Sequence, residues 1–211
     1  MDKFYKDNEV MVQSLMAIGV IKTPSIAKAF LTTPRHFFVP EKHIKYSYHD
    51  IALPTFKGQT ISQPYTVAVM LEALSPEKGN KILDIGSGTG WTTCLLSRIV
   101  GSRGKIIGLE IEPELVEFSK KNIKKLKIRN VEIILGDGKK GYKLESPYDR
   151  VLINAGCNSI PELVVDQTKI GGRIVAPINA NGHQELVLFQ KIGEGELKRT
   201  NLGTFVFVEL R

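Results

Sequence analysis

The sequence predicts an α/β fold: a doubly wound, mainly parallel sheet with an antiparallel C-terminal strand pair and an N-terminal helical cap. Three observations carry this. From Lys81 onward, short apolar strands alternate with segments of helical period, the pattern of successive βαβ units. A glycine turn, Gly86-Ser87-Gly88-Thr89-Gly90, leaves the first of those strands and enters a helix. Near the C-terminus, two strand patterns are joined by a linker far too short for a crossover helix.

Taken in order, the chain opens with a helix over 8–18, apolar at Val10, Met11, Leu15 and Ile18 and stopped by Gly19. Thr23-Pro24 reads as an N-cap followed by proline at the first helical position, and that helix runs through Ile26, Ala27, Phe30 and Leu31 to Pro34. Residues 34–54, punctuated by proline and rich in His and Tyr, form an irregular cap segment. After Gly58-Gln59-Thr60-Ile61-Ser62-Gln63-Pro64 comes a helix over 65–74. Strands are expected over 81–85, 105–109, 131–135, 148–153 and 172–177, with helices through Leu95 and Ile99, from Pro113, and from Ile160. The strands over 173–176 and 186–190 have no room for the dozen residues that a parallel return requires. Their linker holds Asn181-Gly182, a hairpin dipeptide, so the two pair antiparallel. Residues 205–210 are expected to close the sheet. The organisation follows: a cap segment over 1–60 and a core over 61–211, built as one structural unit.

Composition narrows the function classes. The chain has 211 residues, 42% of them hydrophobic and 24% charged, with a mean hydropathy of -0.06. These values suit a globular core and exclude disorder, collagen-like repeats and a disulfide miniprotein. No apolar run approaches a membrane span, and the charged start over 1–7 has no apolar leader segment. Cys94 and Cys157 form no metal-ligand or disulfide pattern, so no metal is expected and a reducing cytoplasm is the expected location. The formal net charge is +7, which permits nucleic-acid binding without demonstrating it. Much of the excess, Lys120, Lys121, Lys124, Lys125 and Lys127, projects opposite the Leu115, Ile123 and Leu126 stripe and reads as a solvated helix face.

The glycine turn carries the chemistry. Its context, a strand before it and a helix after it, lets backbone approach a ligand closely. Glu110 ends the next strand, 20 residues after Gly90, where a carboxylate can accept hydrogen bonds from ribose hydroxyls. Asp137, between Gly136 and Gly138, ends the third strand, at the carboxyl edge where open α/β sheets bind ligands. A dinucleotide fingerprint would space its third glycine differently and would not set an acid, Asp84, beside a pyrophosphate. A carboxylate there suits a cationic sulfonium, which favours S-adenosylmethionine over a nicotinamide dinucleotide.

The segment Gly58-Gln59-Thr60-Ile61-Ser62-Gln63-Pro64-Tyr65 resembles the signature of the protein-L-isoaspartate (D-aspartate) O-methyltransferases. Further similarity lies in Pro34-Arg35-His36-Phe37-Phe38-Val39-Pro40, Leu53-Pro54, Gly136-Asp137-Gly138, Pro147-Tyr148-Asp149-Arg150, Gly171-Gly172-Arg173 and Phe205-Val206-Phe207-Val208. The likeness implies a Rossmann-like, class I S-adenosylmethionine-dependent methyltransferase. Its product would be S-adenosylhomocysteine, and its acceptor the α-carboxyl of L-isoaspartyl residues in damaged proteins and peptides. The resulting ester would leave through a succinimide that reopens partly to aspartate. It implies Ser62 as the catalytic residue. It implies Thr60, Ile61, Ser62, Asp84, Gly86, Ser87, Gly88, Glu110, Ile111, Asp137 and Gly138 at the cofactor, and Gln59, Ser62 and Pro177 at the substrate. The chain departs from the family pattern at Trp91, at Asn154-Ala155-Gly156 and at Glu209.

Methylating a carboxylate asks for little proton transfer, because a group with a pKa near ~4 is already ionised at neutral pH. The requirement is an in-line approach to the methyl group in a site sheltered from water. His36, His43, His49 and His183 have no motif partner and read as surface or cap residues, and both cysteines read as small buried apolar groups. Ser62 reads in two ways. Pro64 suits the first helical position and makes Gln63 the N-cap, so the segment serves as a helix entry turn. The same position sets a hydroxyl beside the N–H groups of a helix start, which attract a carboxylate. The expected enzyme is a cytoplasmic, monomeric repair methyltransferase without nucleic-acid or membrane partners. Its alternatives are an RNA methyltransferase and a non-catalytic S-adenosylmethionine-binding interaction protein.

Overall fold

The computed structural model describes residues 3–211; Met1 and Asp2 of the charged start lie outside the described residues. Two helices, α1 (Lys3–Ala17) and α2 (Pro24–Thr32), open the chain. Turns of 3-10 helix follow at Arg35–Phe38 and Glu41–Tyr46. A short antiparallel pair, β1 (Leu53–Pro54) and β2 (Thr60–Ile61), leads into α3 (Pro64–Leu74), with Gln63 at the N-cap and Pro64 at the first turn. Proline suits that place because its missing N–H would have no helical partner there.

The main sheet comprises β3 (Lys81–Ile85), β4 (Lys105–Glu110), β5 (Val131–Leu135), β6 (Tyr148–Ile153), β7 (Thr168–Ala180), β8 (His183–Lys191) and β9 (Leu197–Phe205). Their order is β5-β4-β3-β6-β7-β8-β9. Strands β3 to β7 pair in parallel, and β8 and β9 are antiparallel additions. Helices α4 (Trp91–Val100), α5 (Pro113–Lys125) and α6 (Glu162–Asp166) connect the parallel strands. The topological switch falls between β3 and β6, where successive connections turn to opposite sides.

Strand alternation assigns the two faces. Ile82 and Ile106 join a cluster with α1 to α4 residues, including Phe30, Leu71 and Leu95. Leu83, Ile85, Ile107 and Leu109 join the opposite cluster with Val164 and Ile174. The first cluster runs from Met11 to Leu186 and so holds the N-terminal helices to the sheet. The lysine-rich side of α5 is exposed while Leu115, Val116 and Ile123 are buried. Both cysteines are buried and unpaired.

The short-linker hairpin forms as expected. Asn181 and Gly182 turn with φ of 41° and 84°, the left-handed values that a two-residue hairpin requires, and β7 pairs with β8 from Ala180↔His183 to Arg173↔Gln190. The expected closing strand does not form over 205–210. The edge strand is Leu197–Phe205; the chain then leaves the sheet ladder and pairs only in the isolated Gly156↔Glu209 bridge. An edge strand that buries little has no need of apolar alternation: β9 is largely polar and exposed. The apolar run that looked like a strand is spent elsewhere. The helix expected from Ile160 is shorter, because Pro161 caps it and β7 begins at Thr168, before the expected Gly172. Among the described residues, no helix is long and apolar enough to cross a membrane.

Candidate active site

The carboxyl ends of β3 and β4 open into a cavity of about 530 Å³, within the range of small-molecule sites. Its floor is the β3–α4 turn. Gly88 sits at φ 53° and Gly90 at φ 86°, conformations that cost glycine little. A Cβ on Gly90 would come within 3.1 Å of the Ser119 Cβ on α5. The bare turn therefore lets α4 and α5 pack closely while backbone faces the cavity.

Glu110 is 6% exposed and is aimed by backbone alone. Its Oε2 accepts from Gly88 N–H at 2.8 Å. Its Oε1 accepts from Ile111 and Glu112 N–H at 2.9 and 3.0 Å. A carboxylate offers about four acceptor positions, so Oε2 keeps one free. Nearby, the Ser87 and Thr89 hydroxyl oxygens are buried without a hydrogen-bond partner among the described residues, and both residues line the cavity. Orphaned buried hydroxyls beside a fixed carboxylate suit a polar ligand such as an adenosyl cofactor.

The opposite wall comes from Gln59, Thr60, Ile61, Ser62 and Gln63, and from the segment 204–211. Ser62 is half-buried, and its hydroxyl makes no hydrogen bond among the described residues. The Phe205 ring stacks on Tyr65 at 6.4 Å. Glu209 accepts from Asn179 Nδ2 at 3.0 Å and from Gln184 Nε2 at 2.9 Å, and Phe207 N–H donates to Gln184 Oε1. Arg211 donates to Glu112 Oε1 at 2.7 Å and to the Lys57 carbonyl at 3.4 Å. The apolar C-terminal run is thus part of the cavity wall, tied to the sheet and across the rim.

Of the residues singled out from the sequence, the cavity wall brings together Gln59, Thr60, Ile61, Ser62, Gly86, Ser87, Gly88, Glu110, Ile111 and Gly138. It does not include Asp84, Asp137 or Pro177. Asp84 shares the strand face of Ile82, beneath α4, and is fully buried. One oxygen accepts from the Thr93 hydroxyl at 2.5 Å and the other from Asn154 Nδ2 at 2.7 Å. Burial pushes its pKa up to about 6, the two hydrogen bonds pull it down less, and the charge of Glu110 adds to the rise. Asp137 accepts from Lys139 N–H at 2.9 Å and caps the 3-10 turn Gly138–Lys140. Pro177 is buried in β7, opposite Leu186.

The helix start also differs from expectation. Asp50 Oδ1 accepts from Tyr65 N–H at 2.8 Å, and its other oxygen accepts from Gln63 Nε2 at 3.0 Å. A carboxylate of the protein therefore already occupies the first turn of α3, and an incoming one must use other donors. Sequence reasoning missed Asp50, the lining residues Thr89, Trp91 and Asn154, and the wall formed by 204–211. Trp91, Asn154 and Glu209 stood out only as departures from the family pattern. The buried thiols are no nucleophiles: burial pushes Cys94 well up and Cys157 to about 11. Among the described residues, no group of His, Cys, Asp and Glu side chains could hold a metal.

A family model described as protein-L-isoaspartate(D-aspartate) O-methyltransferase matches residues 6–211. A protein-L-isoaspartate O-methyltransferase of Methanopyrus kandleri is 41% identical over 208 residues, covering 98% of this chain and 92% of that protein. One from Pyrococcus horikoshii is 40% identical, covering 99% and 94%. A solved protein-L-isoaspartate O-methyltransferase is 33% identical with a TM-score of 0.89; the match covers 96% of this chain and 65% of that one. A putative protein-L-isoaspartate O-methyltransferase from Plasmodium falciparum, solved with S-adenosyl-L-homocysteine, is 26% identical, with a TM-score of 0.87 and 97% and 98% coverage.

Proposed function

The chain belongs to the protein-L-isoaspartate(D-aspartate) O-methyltransferase family, and from that premise we propose how its cavity serves the reaction. The enzyme transfers a methyl group from S-adenosylmethionine to the α-carboxyl of L-isoaspartyl residues, the methylation that initiates protein repair. The observation that carries the assignment of roles is that the glycine turn with Glu110 and the segment holding Ser62 line one cavity.

S-adenosylmethionine, when bound, supplies a methyl group made electrophilic by the sulfonium. Glu110 would hold one ribose hydroxyl with its free acceptor position, and Ser87 and Thr89 would give their orphaned hydroxyls to the same ligand. Gly86, Gly88 and Gly138 admit it by presenting backbone without side chains, while Ile111 offers an exposed apolar side chain. Thr60, Ile61 and Gln59 shape the wall around Ser62. Asp84 acts without contact, as a buried charge behind the turn that favours a cation in the cavity. Asp137 fixes the turn that carries Gly138, and the burial of Pro177 supports a structural rather than a substrate role.

Ser62 would donate its unpartnered hydroxyl to the acceptor carboxylate and hold it in line with the methyl group. An ordinary aspartate sets its carboxylate one methylene further from the backbone, and misplacement of about 1 Å costs on the order of a hundredfold in rate. The acceptors are isoaspartyl-containing proteins and peptides. A cytoplasmic monomer with 1–60 as cap and 61–211 as core fits two free buried thiols and a cap packed into the same apolar cluster as the sheet.

The test supplies labelled methyl donor with an isoaspartyl peptide, its aspartyl twin and bulk RNA. Base-labile ester should form on the first alone. Ser62→Ala should lower that rate about a hundredfold while S-adenosylhomocysteine binding, read by calorimetry, is retained. Base-stable label on RNA, or an undiminished rate in Ser62→Ala, would overturn these roles.

A further inference from the structure

Arg35 lies in the cap, is wholly buried and does not line the cavity. No carboxylate stands within ion-pair distance of it among the described residues. Instead its guanidinium is spent on carbonyls. Nη1 donates to Ser47 at 2.8 Å and His49 at 3.5 Å; Nη2 donates to Ile51 at 2.9 Å, Ile61 at 3.4 Å and Ser62 at 3.0 Å. The carbon of the same group lies 5.3 Å from the ring centre of Trp91, which lines the cavity.

A buried cation without a counter-charge is costly, and burial pulls this one down to about 9 against the opposing pull of Asp50. Its carbonyl partners bracket Asp50 on one side and end at Ser62 on the other, so one rigid fork sets the two segments that meet at the start of α3. Only Arg has the planar donor set for such a span.

The orientation of one peptide gives this a chemical meaning. The Ser62 carbonyl turns into the cap toward Arg35. In a trans peptide the N–H opposes the carbonyl, and the only cis bond among the described residues is Ser146-Pro147. The Gln63 N–H therefore points away from Arg35, and both Ser62 and Gln63 line the cavity. It donates to no group among the described residues.

We propose that Arg35 is a positioning residue for methyl transfer, which holds the Ser62–Gln63 peptide so that the Gln63 N–H and the Ser62 hydroxyl together receive the acceptor carboxylate. Without it, the Ser62 carbonyl is free to rotate its negative end toward that carboxylate. The inference rests on the isoaspartyl reading of the site, and its test separates the two.

Arg35→Lys keeps a buried cation but has no fork. Its kcat/KM for an isoaspartyl peptide should fall about tenfold or more, with S-adenosylhomocysteine affinity within about twofold of the parent. A measurement on the parent protein needs no variant. With S-adenosylhomocysteine bound, the Gln63 amide proton should shift on adding isoaspartyl peptide and stay put with the aspartyl twin. Cofactor affinity falling in step with rate, or an unmoved Gln63 amide, would each overturn the role of Arg35. Absence of methyl transfer by the parent would instead overturn the reading beneath it.

Discussion

The two walls of the cavity are built in different ways. The donor wall, within residues 85–112, is one stretch of strand, turn and strand, and its key carboxylate, Glu110, is aimed by three backbone N–H groups within that stretch. The acceptor wall joins 59–63, Asn154 and 204–211, far apart in sequence. Beyond the backbone bridge at Gly156 it is held by side chains: the Arg35 fork, the Asp50 cap on α3, the Glu209 amide contacts and the Arg211 tie. Backbone-aimed groups stay where the fold puts them. Side-chain-aimed groups depend on partners that a single substitution removes.

The largest expected effect lies behind the donor wall and is read by pH. Asp84 has a folded pKa raised from 3.8 to about 6, so the folded protein binds its proton more tightly than the unfolded chain does. The associated stability is complete below about pH 4 and is lost as pH rises through 6, on the order of 3 kcal/mol. By urea unfolding, the change in stability between pH 4 and 7 should differ between the parent and Asp84→Asn by that amount. Parallel profiles would mean that Asp84 is not confined as described.

Next is the backbone-aimed carboxylate. Glu110→Ala removes an acceptor from three N–H groups and from the cofactor, and should weaken S-adenosylhomocysteine binding by about 1–3 kcal/mol. Calorimetry showing an unchanged affinity would strip the donor wall of its main anchor.

The smallest effect belongs to the tail. The Arg211–Glu112 pair is half exposed on the arginine side, and such pairs contribute under about 1 kcal/mol. Arg211→Ala should leave stability nearly unchanged and speed S-adenosylhomocysteine release only severalfold in stopped flow, less at high salt. A loss as large as that from Glu110→Ala would erase the contrast between the walls.

The sequence by itself determined the parallel core, the hairpin at Asn181-Gly182, the glycine turn and the place of Glu110 at a strand end. Each follows from local rules: apolar period, left-handed turn residues, and the direction in which a strand delivers its last side chain. Period-2 alternation also held the fate of Asp84, since it lies on the face of Ile82; reading it as a wall residue overlooked that α4 covers that face. Tertiary structure alone decided where 205–211 goes, because Phe205-Val206-Phe207-Val208 satisfies a strand pattern as well as it covers a cavity. It alone decided that Asp50 would fill the start of α3 and that Arg35 would grip Ser62 across 27 residues. Hydrogen bonds to backbone carbonyls leave no residue-type signature at the accepting end, so no pattern in the chain announces them.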